Sequence, residues 1–433
     1  MGTGTTMLRK ARLREVPPTV SHHESLNLAL DWRETPLREV GSVGSRVTAN
    51  RLYAGDNLNV LSALCSDPSI RGRVRLVYID PPYATGFAFE SATVGIAYHD
   101  DQIGAEYLSA LRQRLVLLRE LLAEDGSMYL HLDSNMVFQA KLLMDEVFGA
   151  RHFINLITRI KCNPKNQVRR GYGDVCDYVL FYSKSKNYVW NQPTLPWNET
   201  TGAKEYNCIE ESTGRRYKKV PCHLPGVRNG ETGLPWRGKL PPPGKHWVHS
   251  PTRLDEMDAR GEIYWSATGN PRRKLYLDQS AGKRQPNLWT EFRDTQNQNA
   301  EVTGYPTEKN VEMLRMIVKA SSNPGDLVLD AYAGSGTTLA AAAENDRNWI
   351  GIDESPAAIA TSIERLVLGT PMMGTHARND YVSRDANPTR HIASHAFRVF
   401  VDEDNQALVK TVTKTLQKKT LMPAFKPIDG KAL

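Results

Sequence analysis

Asp80-Pro81-Pro82-Tyr83 follows the apolar run Val74 to Ile79, and Gly334-Ser335-Gly336-Thr337-Thr338 follows Leu327 to Asp330. An amino group on an aromatic ring is a poor nucleophile, because its lone pair is delocalised into the ring. A carboxylate beside a backbone carbonyl can accept both N–H bonds and leave the lone pair aimed at an electrophile. Asp80 with the Pro81 carbonyl has that composition. The two prolines fix φ and offer carbonyls without competing N–H groups, and Tyr83 can stack on the ring. Asp-Pro-Pro is also an ordinary chain reverser. What favours chemistry is its place at the carboxyl end of a predicted central strand, where open α/β sheets hold their reactive groups.

The second segment reads as strand, glycine turn and helix start. Its glycines permit close backbone approach, and a helix N-terminus offers free N–H groups. A phosphate-binding P-loop is disfavoured, since Thr337 stands where a lysine should follow the last glycine, and no Gly-x-Gly-x-x-Gly is present. Asp353 ends the next predicted strand, at the spacing where an acid commonly holds ribose hydroxyls. A nucleoside that needs no phosphate suits this turn. S-adenosylmethionine fits, with its ribose on Asp353 and its ammonium on Asp330.

These residues need a sheet to bring them together, and the pattern supplies one. Arg51 to Asp56 reads as a strand, Leu58 to Leu64 as a short helix, Val74 to Asp80 as a buried strand and Glu106 to Leu122 as an amphipathic helix ended by Asp125-Gly126. Ser127 to Asp133 is a predicted strand and Phe138 to Phe148 a helix. Phe153 to Ile160 and Asp177 to Tyr182 are strands joined without a long crossover, hence an antiparallel hairpin at the edge of a mostly parallel α/β sheet. Thr307 is a candidate N-cap for a helix running to Ala320, and Leu327 to Asp353 makes one βαβ unit.

Between these halves, prolines, glycines and tryptophans replace the periodicity. The stretch is too long for one structureless loop and reads as an irregular small domain. The expected division is an N-terminal arm (1–48), a first half-domain (49–185), the irregular insert (186–300), a second half-domain (301–369) and a C-terminal extension (370–433). The net charge is +7, and residues 161–300 hold 23 Lys and Arg against 14 Asp and Glu, so the positive field sits in the insert. A basic internal segment fits a polyanion surface. The chain has no apolar run of membrane-spanning length and no secretory apolar segment at its start. Five cysteines, an odd number without a CxxC pair, suit reduced thiols; Cys208, Cys222 and His223 lack the spacing of a zinc site, so no metal is expected.

With these motifs in this order, the chain resembles the β-group of amino-DNA methyltransferases, in which the catalytic motif precedes the cofactor motif. Tyr53 to Leu58 and Val77 to Tyr83 look like that family's opening block, Asp145 to Gly149 its next landmark, and Tyr305 to Thr338 and Ile350 to Asp353 its cofactor motifs. The resemblance implies a Rossmann-like methyltransferase fold with circularly permuted motif order and an inserted target-recognition domain. It implies that Asp80 and Pro81, with Pro82, hold the target amino group and that Tyr83 stacks on a flipped base. Asp330, Tyr332, Gly334, Ser335, Gly336 and Thr337 would line the cofactor, with Asp353 on its ribose, Asp56 near its adenine and Thr307 near its methionine end. Arg215, Arg216, Lys218, Lys219, Arg272, Arg273 and Lys274 are the candidates for DNA phosphates. Tyr305, Asn310, Tyr332 and Ala84 depart from the family's usual His, Pro, Phe and Asn.

The expected activity is methyl transfer from S-adenosylmethionine to an exocyclic amino group in double-stranded DNA, the base being flipped out to reach the pocket. Adenine N6 is the expected target, as the Asp-leading motif more often accompanies it; cytosine N4 is the alternative, and Ala84 leaves the choice open. A protein or RNA methyltransferase would normally carry the cofactor motif first, and a non-catalytic DNA-binding module would not need Asp80. The resemblance also leaves room for a homodimer and for a separate restriction subunit, in a cytoplasmic, nucleoid-associated prokaryotic setting.

Overall fold

The computed structural model describes residues 37–44, 47–82, 88–91, 95–99, 105–164, 170–294, 303–305, 308–370, 396–418 and 425–427. The chain forms two compact units. One combines the flanking parts, up to Asn191 and from Pro286 onward, and the other is the insert Gln192–Gln285.

The first unit is built on an 11-stranded sheet. Six strands run parallel, in the order Leu122–Leu132, Val74–Ile79, Leu327–Asp330, Asn348–Asp353, Arg51–Ala54 and Phe397–Asp402. The central strands are rich in Val, Ile and Leu on both faces, as a parallel sheet covered on both sides requires. Val74–Ile79 is buried at five of its six positions, and its side chains join those of helices Asn57–Ser66, Ala105–Leu121 and Val137–Phe148 in one core.

The antiparallel hairpin is present as Phe153–Ile160 and Cys176–Ser183, beside Leu122–Leu132. Leu288–Trp289 then adds a parallel edge strand outside it, immediately after the insert. The far edge carries a second antiparallel stretch, of which the sequence pattern marks only Phe397 to Val401 as β-like. There Leu37–Val43 lies between Phe397–Asp402 and Phe425–Pro427. The segments read as an arm and an extension thus each contribute strands to the sheet.

Two element boundaries differ from the pattern for identifiable reasons. The strand expected from Ser127 begins at Leu122, directly after the helix, and its pairing slips between Val74↔Leu122 and Leu76↔Ser127. Gly126 sits in that bulge, where a Cβ would lie 2.9 Å from the Val74 carbonyl oxygen. The helix expected to start after Thr307 is Val311–Ser321, capped by Asn310, whose side chain accepts from the N–H groups of Glu312 and Met313. Thr307 itself lies outside the described residues.

The insert has its own framework. Cys208–Ile209, Arg216–Pro221, Pro271–Tyr276 and Ile263–Trp265 form a four-stranded antiparallel sheet. Helix Pro251–Ala259, capped by Ser250, packs Leu254 and Met257 into a small core with Cys222, Trp236, Trp247 and Ile263. Three of the scattered tryptophans therefore serve packing, Trp236 stacking edge-on against Trp247 and tilted against Trp265. Cys222 is fully buried among them, and burial pushes its thiol up to about 11, so it behaves as a small apolar side chain.

Candidate active site

Asp80, Asp330 and Asp353 sit at or just beyond the carboxyl ends of three neighbouring parallel strands. Val74–Ile79 pairs with Leu327–Asp330, which pairs with Asn348–Asp353. The two motifs, far apart in the chain, therefore meet because parallel strands align their carboxyl ends on one edge of the sheet.

The carboxylates differ in their surroundings. Asp330 is 2% exposed; its Oδ1 accepts the Tyr332 N–H at 3.0 Å and its carboxyl takes a bond from Thr338. Burial dominates, and with the negative charges of Asp80 and Asp353 nearby it pushes the Asp330 carboxyl up to about 7. No described Lys or Arg pairs with it. Asp353 accepts from the Gly334 N–H (2.8 Å) and the Ser355 N–H (2.8 Å), yet burial still lifts it to about 6. A buried carboxylate and a half-buried one, neither paired with a described Lys or Arg, call for a cationic, hydroxyl-bearing occupant.

The glycine turn has the shape such an occupant needs. Gly334 and Gly336 have φ of 52° and 73°. At Gly336 a Cβ would also meet the Ser362 hydroxyl at 2.8 Å, so backbone conformation and space both require glycine. Ser335 and Thr337 are brought to the turn, but their hydroxyls face inward. They lie 3.0 Å from each other, and buried Arg365 donates to both, and to the Ser335 carbonyl. They hold the turn's shape through this arginine.

Asp56 and Tyr332 complete this end of the site. Asp56 caps helix Asn57–Ser66 through the Leu58 N–H at 2.7 Å, and Arg114 lies 3.5 Å away. Asn57 donates to the Ala331 carbonyl at 2.8 Å and bonds the Tyr332 side chain, so it ties the first motif to the second. Arg114 does not stand out in the sequence, and Asn57 does so only as part of the Tyr53–Leu58 motif, because each acts through a partner distant in the chain.

At the Asp-Pro-Pro end, Asp80 and Lys309 form an ion pair, both largely buried. Pro81 is buried and Pro82 half-buried. Tyr83, like Thr307, lies outside the described residues. Beneath Asp80, a buried polar chain begins at Tyr78, whose hydroxyl lies 2.7 Å from His131 Nδ1. His131 Nε2 is 2.9 Å from Asp177, which also accepts from Arg159 at 2.7 Å; Arg159 reaches on to Asp294. Burial alone would raise Asp177, but His131 and Arg159, with Lys309 beyond them, hold its carboxyl well below the usual range.

Within the insert, the seven candidate cations separate into two groups. Arg215 makes a two-pronged contact with Asp278 (2.7 and 2.8 Å), Lys218 meets Glu205 at 2.7 Å and Lys274 meets Glu210 at 2.7 Å. Arg216, Lys219, Arg272 and Arg273 have no carboxylate partner among the described residues. Lys219 instead lies 3.6 Å from the Tyr264 ring centre. Partial burial, then Lys245 and Arg272, lower the His223 imidazole; partial burial, then Arg273 and Arg253, lower that of His249. Both histidines thus sense a positive field on this side of the unit.

Among the described residues no His, Cys, Asp and Glu cluster could hold a metal ion, and no described helix is long and apolar enough to cross a membrane. A family model described as DNA methylase matches residues 74–364. The type II methyltransferase M.EcaI of Enterobacter cloacae is 43% identical over 403 residues, covering 90% of this chain and 88% of that one. The DNA adenine methyltransferase YhdJ of Escherichia coli K12 is 41% identical over 323 residues, 73% of this chain and 83% of its own. The StyLTI Mod subunit, from a type III restriction-modification enzyme of Salmonella typhimurium LT2, is 25% identical over 333 residues. That match covers 67% of this chain but only 49% of the subunit.

Proposed function

The chain belongs to the DNA methylase family, and from that premise we propose that it is an N6-adenine DNA methyltransferase using S-adenosylmethionine. The observation that carries the reading is the convergence of Asp80 with Asp330 and Asp353 on one sheet edge, beside a glycine turn. The fit to the cofactor rests on Asp330, a buried carboxylate lifted to about 7 with no described cation beside it, which suits an ammonium. Asp353 suits ribose hydroxyls. When bound, the cofactor supplies an electrophilic methyl group on a sulfonium.

The chain's own residues do the rest by positioning. Asp80 and the Pro81 carbonyl accept the two N–H bonds of the target amino group and draw its lone pair out of the ring. Tyr83 stacks on the flipped base. The insert Gln192–Gln285 reads the target, with Arg216, Lys219, Arg272 and Arg273 on phosphates. Adenine is favoured by the Asp-leading motif and by the likeness to an enzyme named for adenine. A separate restriction enzyme is the proposed companion, on the likeness to a Mod subunit, with a homodimer as the proposed assembly and the bacterial nucleoid as the place of action.

Nucleoside mass spectrometry of DNA from cells expressing the protein, with Asp80→Ala in parallel, tests the reading. N6-methyladenine from the parent and none from the variant is expected. N4-methylcytosine alone would replace the target base, and an active Asp80→Ala would remove the catalytic assignment.

A further inference from the structure

The Asp80–Lys309 contact joins the two halves of the site, and Lys309 is held on both sides. Before it, Glu308 is buried and accepts from the Thr303 N–H (2.8 Å) and hydroxyl (2.6 Å), and pairs with Arg365 at 2.9 Å. Arg365 is the residue that grips Ser335 and Thr337 in the glycine turn. After Lys309, Asn310 caps the next helix and donates to the Arg293 carbonyl at 3.0 Å. A continuous polar chain therefore runs from the cofactor turn through Arg365 and Glu308 to the backbone of Lys309, and from its ammonium to Asp80.

We propose that Lys309 is a positioning residue for Asp80: by holding one carboxylate oxygen it sets the direction in which Asp80 receives the target amino group. This rests on the reading of Asp80 as the group that holds that amine. A carboxylate on a two-torsion side chain, at the end of a strand, has no rotamer fixed by the strand itself. An ammonium at its Oδ2, itself anchored to the cofactor turn, removes that freedom. Catalysis by orientation is sensitive to this, since a misplacement of about 1 Å costs on the order of 100-fold in rate. The lysine, rather than the fold alone, then sets kcat.

The experiment compares Lys309→Met, Lys309→Arg, Asp80→Asn and Asp80→Asn/Lys309→Met. Labelled methyl transfer from S-adenosylmethionine to unmodified bacterial DNA gives rates, and calorimetry gives cofactor affinity. Lys309→Met is expected to lower kcat by roughly 10- to 100-fold. Cofactor affinity and melting temperature stay near the parent's, and Lys309→Arg recovers most of the loss. In the Asp80→Asn background the lysine substitution should change the rate by less than about threefold, because the partner it orients has lost its charge. Parental kcat in Lys309→Met overturns the inference while leaving Asp80 in its role. So does a loss of cofactor binding equal to the loss of rate, which would assign Lys309 to the cofactor. Full activity in Asp80→Asn would instead overturn the reading of Asp80 itself.

Discussion

Cofactor affinity should climb with pH through neutrality, because Asp330, the group proposed to meet the cofactor's ammonium, is itself half-titrated there. Asp330 is raised to about 7, chiefly by burial and further by the charges of Asp80 and Asp353, against the pull of the Thr338 hydroxyl and the Tyr332 N–H. In the free protein it is about one-tenth ionised at pH 6 and about three-quarters ionised at pH 7.5. A cation bound beside it holds it ionised, so affinity for S-adenosylmethionine should strengthen about eightfold between these values, with release of about three-quarters of a proton at pH 6.5. Calorimetry in buffers of different ionisation enthalpy measures both quantities, and Asp330→Asn should flatten the slope. Affinity that is constant from pH 6 to 7.5, with no buffer-dependent heat, would show that Asp330 does not meet the ammonium.

The same carboxyl sets a sign for stability. Its folded value lies above the unfolded value near 4, so between roughly pH 4 and 7 the folded state holds a proton that the unfolded state has lost. Stability of the empty protein therefore falls as pH rises through that window, by on the order of 4 kcal/mol once Asp330 is fully ionised. Asp330→Asn should raise the melting temperature of the empty protein at pH 8 while weakening the cofactor. The cofactor should in turn raise the parent's melting temperature more at pH 8 than at pH 6.

Gly336→Ala places a Cβ 2.8 Å from the Ser362 hydroxyl at a φ of 73°, so the turn must open and cofactor affinity should drop at least about tenfold; unchanged binding would show that the turn is not used. DNA binding should weaken with salt, and Arg272→Ala with Arg273→Ala should flatten the log–log slope by about 1 to 2, at roughly 0.9 per lost phosphate contact. Arg215→Ala and Lys218→Ala should change that slope less, since their charges already face Asp278 and Glu205. Equal effects from both pairs would erase the distinction.

The sheet was legible in the sequence wherever strands are buried on both faces, because Val74–Ile79 and Leu327–Asp330 are then mostly apolar, broken only by Arg75 and by the terminal Asp330. Leu37–Val43 was not, since its buried stretch Val40–Val43 contains Gly41 and Ser42 and follows Arg38 and Glu39, and its partners lie near the other end of the chain. The site followed the same division. Asp80, Asp330, Gly334, Gly336 and Asp353 carry local signatures, whether a proline pair, a strand end or a glycine turn. Asn57, Glu308 and Lys309 lie inside the recognised motifs, but what they do, like what Arg365 does, comes from ion pairs and hydrogen bonds to distant segments, which no spacing shows. For the cationic residues of the insert, sequence shows charge but not neutralisation, and only the structure separates Arg272 from Lys274.

The place of the insert also has a physical reason. Asn191, the last residue before it, donates through its backbone to the Ala320 carbonyl at 2.7 Å and through its side chain to the Ser322 carbonyl at 3.1 Å. Just after it, the Asn287 carbonyl accepts from Thr158 at 2.8 Å, and the Asn287 side chain donates to Leu156 at 3.0 Å. Both exits are thus fastened within the sheet unit, and the insert closes around a core of its own centred on Trp236 and Trp247. Changes inside Gln192–Gln285 can therefore alter the insert's surface, including the proposed phosphate contacts, without moving the strands that hold Asp80 beside Asp330. The carboxylates need that independence: Asp330 is buried and Asp353 half-buried, neither pairs with a described Lys or Arg, and any loosening of the sheet edge would let water reach them and return both toward their ordinary range.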